Sequence, residues 1–200
     1  MAAPSRSLVA ALAAAGIAPA EGAGAPRVVN VTSESAPGWL PSEEQGTAVE
    51  TAARAYLAAE DAGDAQKAYS FFTVGNKALV GYAEYAKNIA DFDAKAGPVV
   101  ERRIVKVTWT KDPAQAPAAG VYAALDLVSR FAHVDRHCGY VVLYQPPSGG
   151  PFQVMREEVN FLDNPSADSM AREHGSGYVD ALWSQLSANC PNYPRPSSSP

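Results

Sequence analysis

Two carboxylates stand where a general base could work. Glu157 falls in the alternating series Met155, Glu157, Val159, Phe161, whose other three members are apolar. Asp126 sits between Ala124 and Val128 in a similar series. Apolar surroundings disfavour the charged form of a carboxyl, raise its pKa and suit it to proton abstraction near neutral pH. The plainer reading makes each residue half of a cross-strand ion pair, with Arg130 or Arg156 as partner. A third pattern is His133-Val134-Asp135-Arg136-His137. In an unbroken strand its two imidazoles and its carboxylate would share a face and could hold zinc or a similar ion. A turn over Ala132–Arg136 destroys that alternation and leaves a polar hairpin tip. The turn is the expectation. His133, Asp135 and His137 therefore remain metal candidates only, as Glu157 and Asp126 remain catalytic candidates only, and no cofactor is expected.

The elements that must position these residues follow from periodicity. Val121–Phe131, His137–Tyr144 and Phe152–Leu162 are rich in Val, Leu, Tyr and Phe and read as strands. Pro146-Pro147-Ser148-Gly149-Gly150-Pro151 joins the last two, because Pro lacks a ladder donor and Gly favours turns. An earlier strand opens at Val99, with Arg103, Val105, Val107 and Trp109 on one face and Lys106, Thr108 and Thr110 on the other. Arg102-Arg103 reads as a solvated strand edge. Together these predict four antiparallel strands.

Three helices precede them. Ser42 and Gln45 form a capping box, and Val49, Ala52, Ala53, Tyr56 and Leu57 recur at helical spacing as far as Gly63. Asp64 caps a short helix carrying Ala65, Ala68, Tyr69 and Phe72, and Thr73-Val74-Gly75-Asn76 breaks the chain. A third helix bears Tyr82, Tyr85, Ile89, Phe92 and Ala96 and stops at Gly97-Pro98. The aromatic residues at these spacings read as core. A helical stretch from Asn164-Pro165-Ser166 is interrupted at Gly175-Ser176-Gly177. The last helix then presents Val179, Leu182, Trp183 and Leu186 before Cys190-Pro191.

The net charge of −5 and the lack of a basic run give no footprint for nucleic acid. The first residues form a processing signal. Arg6 precedes the apolar run Leu8–Ala18, and Ala18-Pro19-Ala20 places small residues where a signal peptidase reads them. The expected organisation is a signal peptide over 1–20, a flexible tether over 21–41, one α+β domain over 42–190 and a disordered tail over 191–200. Such a protein is periplasmic or secreted and has no stable membrane insertion once the signal is removed, the apolar run being much shorter than a span of roughly 20 residues. Export makes the only two cysteines, Cys138 and Cys190, an expected disulfide. Cys190 follows Leu182 by eight residues and Leu186 by four, on one helical face.

Tyr56-Leu57 leading into Asp61-Ala62-Gly63-Asp64, then Ala68-Tyr69 and Phe72, a third helix, four strands and the pair Glu157-Glu158 in the last strand make a recognisable order. From Val49 to Asp163 it resembles the uncharacterised bacterial exported domains of the nuclear-transport-factor-2-like (cystatin-like) α+β cone group. That resemblance implies three N-terminal helices packed on a curved four-stranded antiparallel sheet, with a C-terminal helix added. The group includes enzymes, ligand binders and protein-binding modules, so fold alone selects no function. The expected function is a non-catalytic binding module for a protein partner or a small ligand. The alternative is a small-molecule lyase or isomerase using Glu157 or Asp126 as general base.

Overall fold

Ser42 starts the first long helix by the reciprocal bonding that its spacing to Gln45 predicts. The Gln45 N–H donates to Ser42 Oγ at 3.1 Å, and the Ser42 N–H donates to Gln45 Oε1 at 3.1 Å. The computed structural model describes residues 29–190; the expected signal peptide, residues 21–28 of the expected tether and the expected tail lie outside them. Four helices, α1 (Glu43–Asp61), α2 (Ala65–Ser70), α3 (Val74–Leu79) and α4 (Tyr82–Ala96), lead into the sheet, where three were expected. The additional helix is α3. Thr73, expected to break the chain, instead caps it, its Oγ1 accepting the Asn76 N–H at 3.1 Å. No α3 residue is buried, and Val74 and Leu79 are exposed, so the segment carries no apolar stripe from which its helicity could be read.

The sheet has five strands in the order β1 (Val29–Val31), β2 (Val99–Lys111), β3 (Val121–Phe131), β4 (Arg136–Gln145) and β5 (Gln153–Leu162). The β2–β5 meander is antiparallel throughout, as expected. The fifth strand makes the sheet mixed: β1 runs parallel to β2, with Val29 opposite Val107 and Val31 opposite Trp109. Part of the expected tether is thereby docked, and Ser35 Oγ accepts the Lys111 N–H at 3.0 Å.

The two faces of the sheet bury different cores. On the inner face, Val107, Trp109, Leu125, Val141, Leu143 and Val154 meet Val49, Ala53, Tyr56 and Leu57 of α1. A fully buried aliphatic side chain of this kind contributes about 1.5–3 kcal/mol. On the outer face, Cys138 and Leu162 meet Ala167, Val179 and Trp183. These last belong to two helices rather than one, α5 (Asn164–His174) and α6 (Ser176–Leu186), parted at Gly175, whose φ of 87° few other residues tolerate. Cys190 lies beyond a 3-10 turn at Ser187–Asn189 and so does not ride the α6 face. Its sulfur is nonetheless 2.18 Å from that of Cys138, at disulfide distance.

Gly139 faces inward between Leu127 and Val159, where β4 and β5 approach so closely that a Cβ would sit 2.2 Å from the Glu158 carbonyl oxygen. Among the described residues no helix is long and apolar enough to cross a membrane.

Candidate functional site: a carboxyl pair at the head of a cavity

Two β-bulges decide which side chains enter the space between α1, α4 and the sheet. In β2, Ile104 pairs with Leu127 and Lys106 with Asp126, so Val105 is an extra residue. In β5, Val154 pairs with Leu143 and Arg156 with Val142, so Met155 is extra. An extra residue reverses the facing of everything beyond it. Arg102 and Ile104 thus share the inner face with Val107 and Trp109, although strict alternation assigns that face to Arg103 and Val105. Glu157, Val159 and Phe161 share the face of Val154, and Met155 does not belong to their series.

The space is a cavity of about 400 Å³. Its walls are largely aromatic and aliphatic, including Phe72, Ile89, Phe92, Leu127, Phe131 and Phe161, and exposed Asn88 and Val159 mark where it meets solvent. Around it stand Glu60 and Asp61 from α1, Tyr85 from α4, Arg102 from β2, His137 from β4 and Glu157 from β5. Helical spacing explains the first two: Glu60 follows Tyr56 by four residues and Asp61 follows Leu57 by four, each pair on one side of α1.

Glu157 has no arginine across the strand. Arg156 pairs instead with Glu158 on the outer face. Tyr56 Oη lies 2.5 Å from Glu157 Oε2 and 2.6 Å from Glu60 Oε1. Tyr85 Oη lies 3.0 Å from the same Glu60 oxygen and 3.3 Å from Tyr56 Oη. Tyr56 has one hydroxyl proton and can donate it to one carboxyl; the other short contact requires a carboxyl that is itself protonated and donates to Tyr56 Oη. The geometry therefore holds a proton on the Glu60–Glu157 pair.

Electrostatics agree. Burial, and then the charge of Glu157, push Glu60 well above the ordinary carboxylate range, against the opposing pull of the two tyrosine hydroxyls and Arg102. Burial likewise raises Glu157, opposed by the Tyr56 hydrogen bond and by Arg102. Burial first, and the nearby carboxylates second, raise both phenols far out of the titratable range.

Arg102 is already spent. Its guanidinium makes a two-pronged pair with Asp61 at 2.9 and 3.0 Å, its Nε–H donates to Ser129 Oγ at 3.1 Å, and it lies over the Phe131 ring at 5.7 Å. This corrects its reading as a solvated strand edge. Arg103 occupies that role, paired with Glu101 at 3.1 Å.

The other candidates disperse. Asp126 is on the outer face, opposite Lys106 and Tyr140 in register, and so does not share the cavity with Glu157. The expected turn falls between β3 and β4, and it separates the three metal candidates. His133 packs against Gly97, Asp135 Oδ2 accepts from Asn164 Nδ2 at 3.1 Å, and His137 alone turns inward. Among the described residues no three His, Cys, Asp or Glu side chains are placed to hold a metal ion. His137 is 4% exposed, stands beside Phe92 and Phe131, and has no hydrogen-bond partner for Nδ1 among the described residues. Burial, then the charge of Arg102, push its pKa down to about 4.

Sequence reasoning missed Glu60 and Arg102. Glu60 had a signal, a glutamate continuing the buried series Val49, Ala53, Tyr56. Arg102 had none, because its facing depends on the bulge.

One protein-family model, described as a protein of unknown function (DUF4019), matches residues 52–155, just over half of the chain. The match takes in Tyr56, Glu60, Tyr85, Arg102 and His137 and stops two residues before Glu157. No curated protein and no solved structure matches the chain.

Proposed function

The chain belongs to the DUF4019 family, and we propose that it is an exported binding module that holds a small ligand between α1, α4 and the sheet without transforming it. One observation carries this reading: a cavity of about 400 Å³, apolar along its walls, with polar groups gathered at Glu60, Glu157 and Tyr56. Small-molecule sites have this form, with apolar area supplying affinity and a few converging polar atoms supplying orientation. The order of helices and strands supports placing the fold in the nuclear-transport-factor-2-like cone group, with β1, α3 and the α5–α6 pair as additions. The Cys138–Cys190 contact supports export, since disulfides persist in oxidising compartments. An intact mass of the exported protein beginning at Glu21 is the expected outcome; full-length chain as the sole species refutes the cleavage.

The direct test is a fragment screen by amide NMR on the mature chain. Ligands of this cavity should shift Leu127, Ser129 and Glu157, and Leu127→Trp should abolish those shifts while preserving the fold. A diverse screen that moves none of these amides refutes the binding reading.

A second reading is favoured by one feature, the raised pKa of Glu157 and Glu60. A carboxyl whose pKa burial raises above the ordinary range can act as acid or base in a lyase or isomerase. That reading predicts Glu157-dependent exchange of α-carbon protons of simple ketones in D₂O, lost in Glu157→Gln.

A further inference from the structure

Resting on the reading of the cavity as a small-ligand site, we infer that its ligand is an organic monocation, an amine carried on an apolar body, with the ammonium against Glu60 and Glu157. The argument is one of charge and shape. The ionisable side chains lining the cavity are Glu60, Asp61, Asp93 and Glu157 on the acidic side, and Arg102 and His137 on the basic side. Arg102 is committed to Asp61 and Ser129 and neutralises one acid. His137 is buried among rings and stays neutral. Three carboxyls then remain with no cation, two of them within hydrogen-bond reach of the same tyrosine oxygen.

Without a ligand the cavity relieves that excess by holding a proton, as the double contact of Tyr56 requires. An ammonium replaces the proton with a full positive charge and up to three donors, which two carboxylates can accept. The walls suit the rest of such a molecule. Phe72 and Tyr85 pack with centroids 4.7 Å apart beside the carboxyls, and Phe92 lies 5.1 Å from Phe131 and 5.0 Å from Phe161 farther along. Aromatic faces attract cations through their quadrupole and accommodate apolar groups equally. An anionic ligand meets the opposite situation, an acidic lining that repels it and an arginine already saturated.

The test compares 2-phenylethylamine, 2-phenylethanol and phenylacetate by amide NMR titration of the mature chain at neutral pH. The amine should shift Leu127, Ser129 and Glu157 and bind about tenfold or more tighter than the alcohol, as a charge-assisted contact in a buried site warrants. Phenylacetate should bind weakest. Calorimetry in buffers of different ionisation enthalpy should show about one proton released per amine bound, because the proton on the pair leaves to solvent. Glu60→Gln and Glu157→Gln should each erase the preference for the amine over the alcohol, since the charged contact is removed. The calorimetric measurement on the wild type stands even where a variant fails to fold. Equal or tighter binding of the alcohol or of phenylacetate at the same amides, or amine binding without proton release, overturns the inference and leaves the binding module intact. Should no fragment of any charge move these amides, the binding reading falls with it.

Discussion

Glu157 and Glu158 are neighbours in one strand and live in opposite environments. Glu158 points outward to Arg156, with the Tyr140 hydroxyl and then that arginine holding its carboxyl below the ordinary range. Glu157 points inward to Tyr56 and Glu60, and burial lifts it above that range. The contrast extends to the whole sheet. The outer face is closed by α5 and α6 and joined to Cys190 by a sulfur–sulfur contact; the inner face keeps a cavity and places ionisable groups along it. The outer face is packed shut around a small apolar cluster, the inner face combines the larger apolar core with the ionisable groups, and the bulges at Val105 and Met155 govern which residues go where.

The sharpest way to break the comparison is to open the outer face. Replacing Cys138 and Cys190 by Ser removes closure of a loop spanning 52 positions. The expected loss is roughly 4 kcal/mol by the chain-entropy estimate, read from urea unfolding, with ligand shifts at Leu127 and Ser129 retained. Loss of cavity binding in a double Ser variant that still folds would show that the faces are not independent.

The inner face should reveal itself through pH. His137 has a folded pKa near 4 against an unfolded value of 6.5. As pH falls through that window the unfolded chain takes up a proton that the native chain refuses, so stability should decline by roughly 3 kcal/mol. His137→Leu should remove this slope. An unchanged slope in that variant, measured by denaturant titration from pH 7 to pH 4, would contradict the buried neutral imidazole.

The carboxyl pair acts with the opposite sign. Its folded pKa values are raised, so above the ordinary carboxylate range the unfolded chain releases protons that the native pair keeps, and stability falls as pH rises toward the raised values. Because the two slopes oppose one another, the pair is best read in the His137→Leu background. There, Glu157→Gln should stabilise by about 1 kcal/mol at pH 8 and have little effect at pH 4. Destabilisation at pH 8 would mean that the charged form of Glu157 is the better-accommodated one.

The smallest effect belongs to the outer rim. Arg136 and Asp180 link β4 to α6 at 3.7 Å, with the aspartate largely exposed. Asp180→Ala should cost about 0.5 kcal/mol or less, as solvent-exposed pairs do. A loss comparable to that of the cysteine variant would overturn the view that apolar packing and the cysteine pair, rather than charge, hold the outer layer.

Local signals in the chain were enough to place most elements. The Ser42–Gln45 box, the alternation of Val121–Phe131, the turn near Ala132–Arg136 and the stop at Gly97-Pro98 each follow from backbone chemistry within a few residues, and each is where the structure has it. Helix α3 was not legible, because nothing in it is buried and only a cap marks its start. The break between α5 and α6 was legible at Gly175-Ser176-Gly177, but the place of Cys190 beyond the α6 face was not, nor was the parallel pairing of β1, whose three residues find their partner only through a contact 78 positions away. The site was half visible. Glu157 stood out as a carboxylate among apolar neighbours, but period-two alternation assigned it Met155 as a companion and an arginine as a partner. Only tertiary structure could supply the bulges, which insert one residue each and so invert the facing of Arg102 and Glu157, and only it could bring Glu60 and Tyr56 of a helix against a strand a hundred residues later. A bulge leaves no periodic mark in the sequence, because it is a mismatch between two strands and belongs to neither alone.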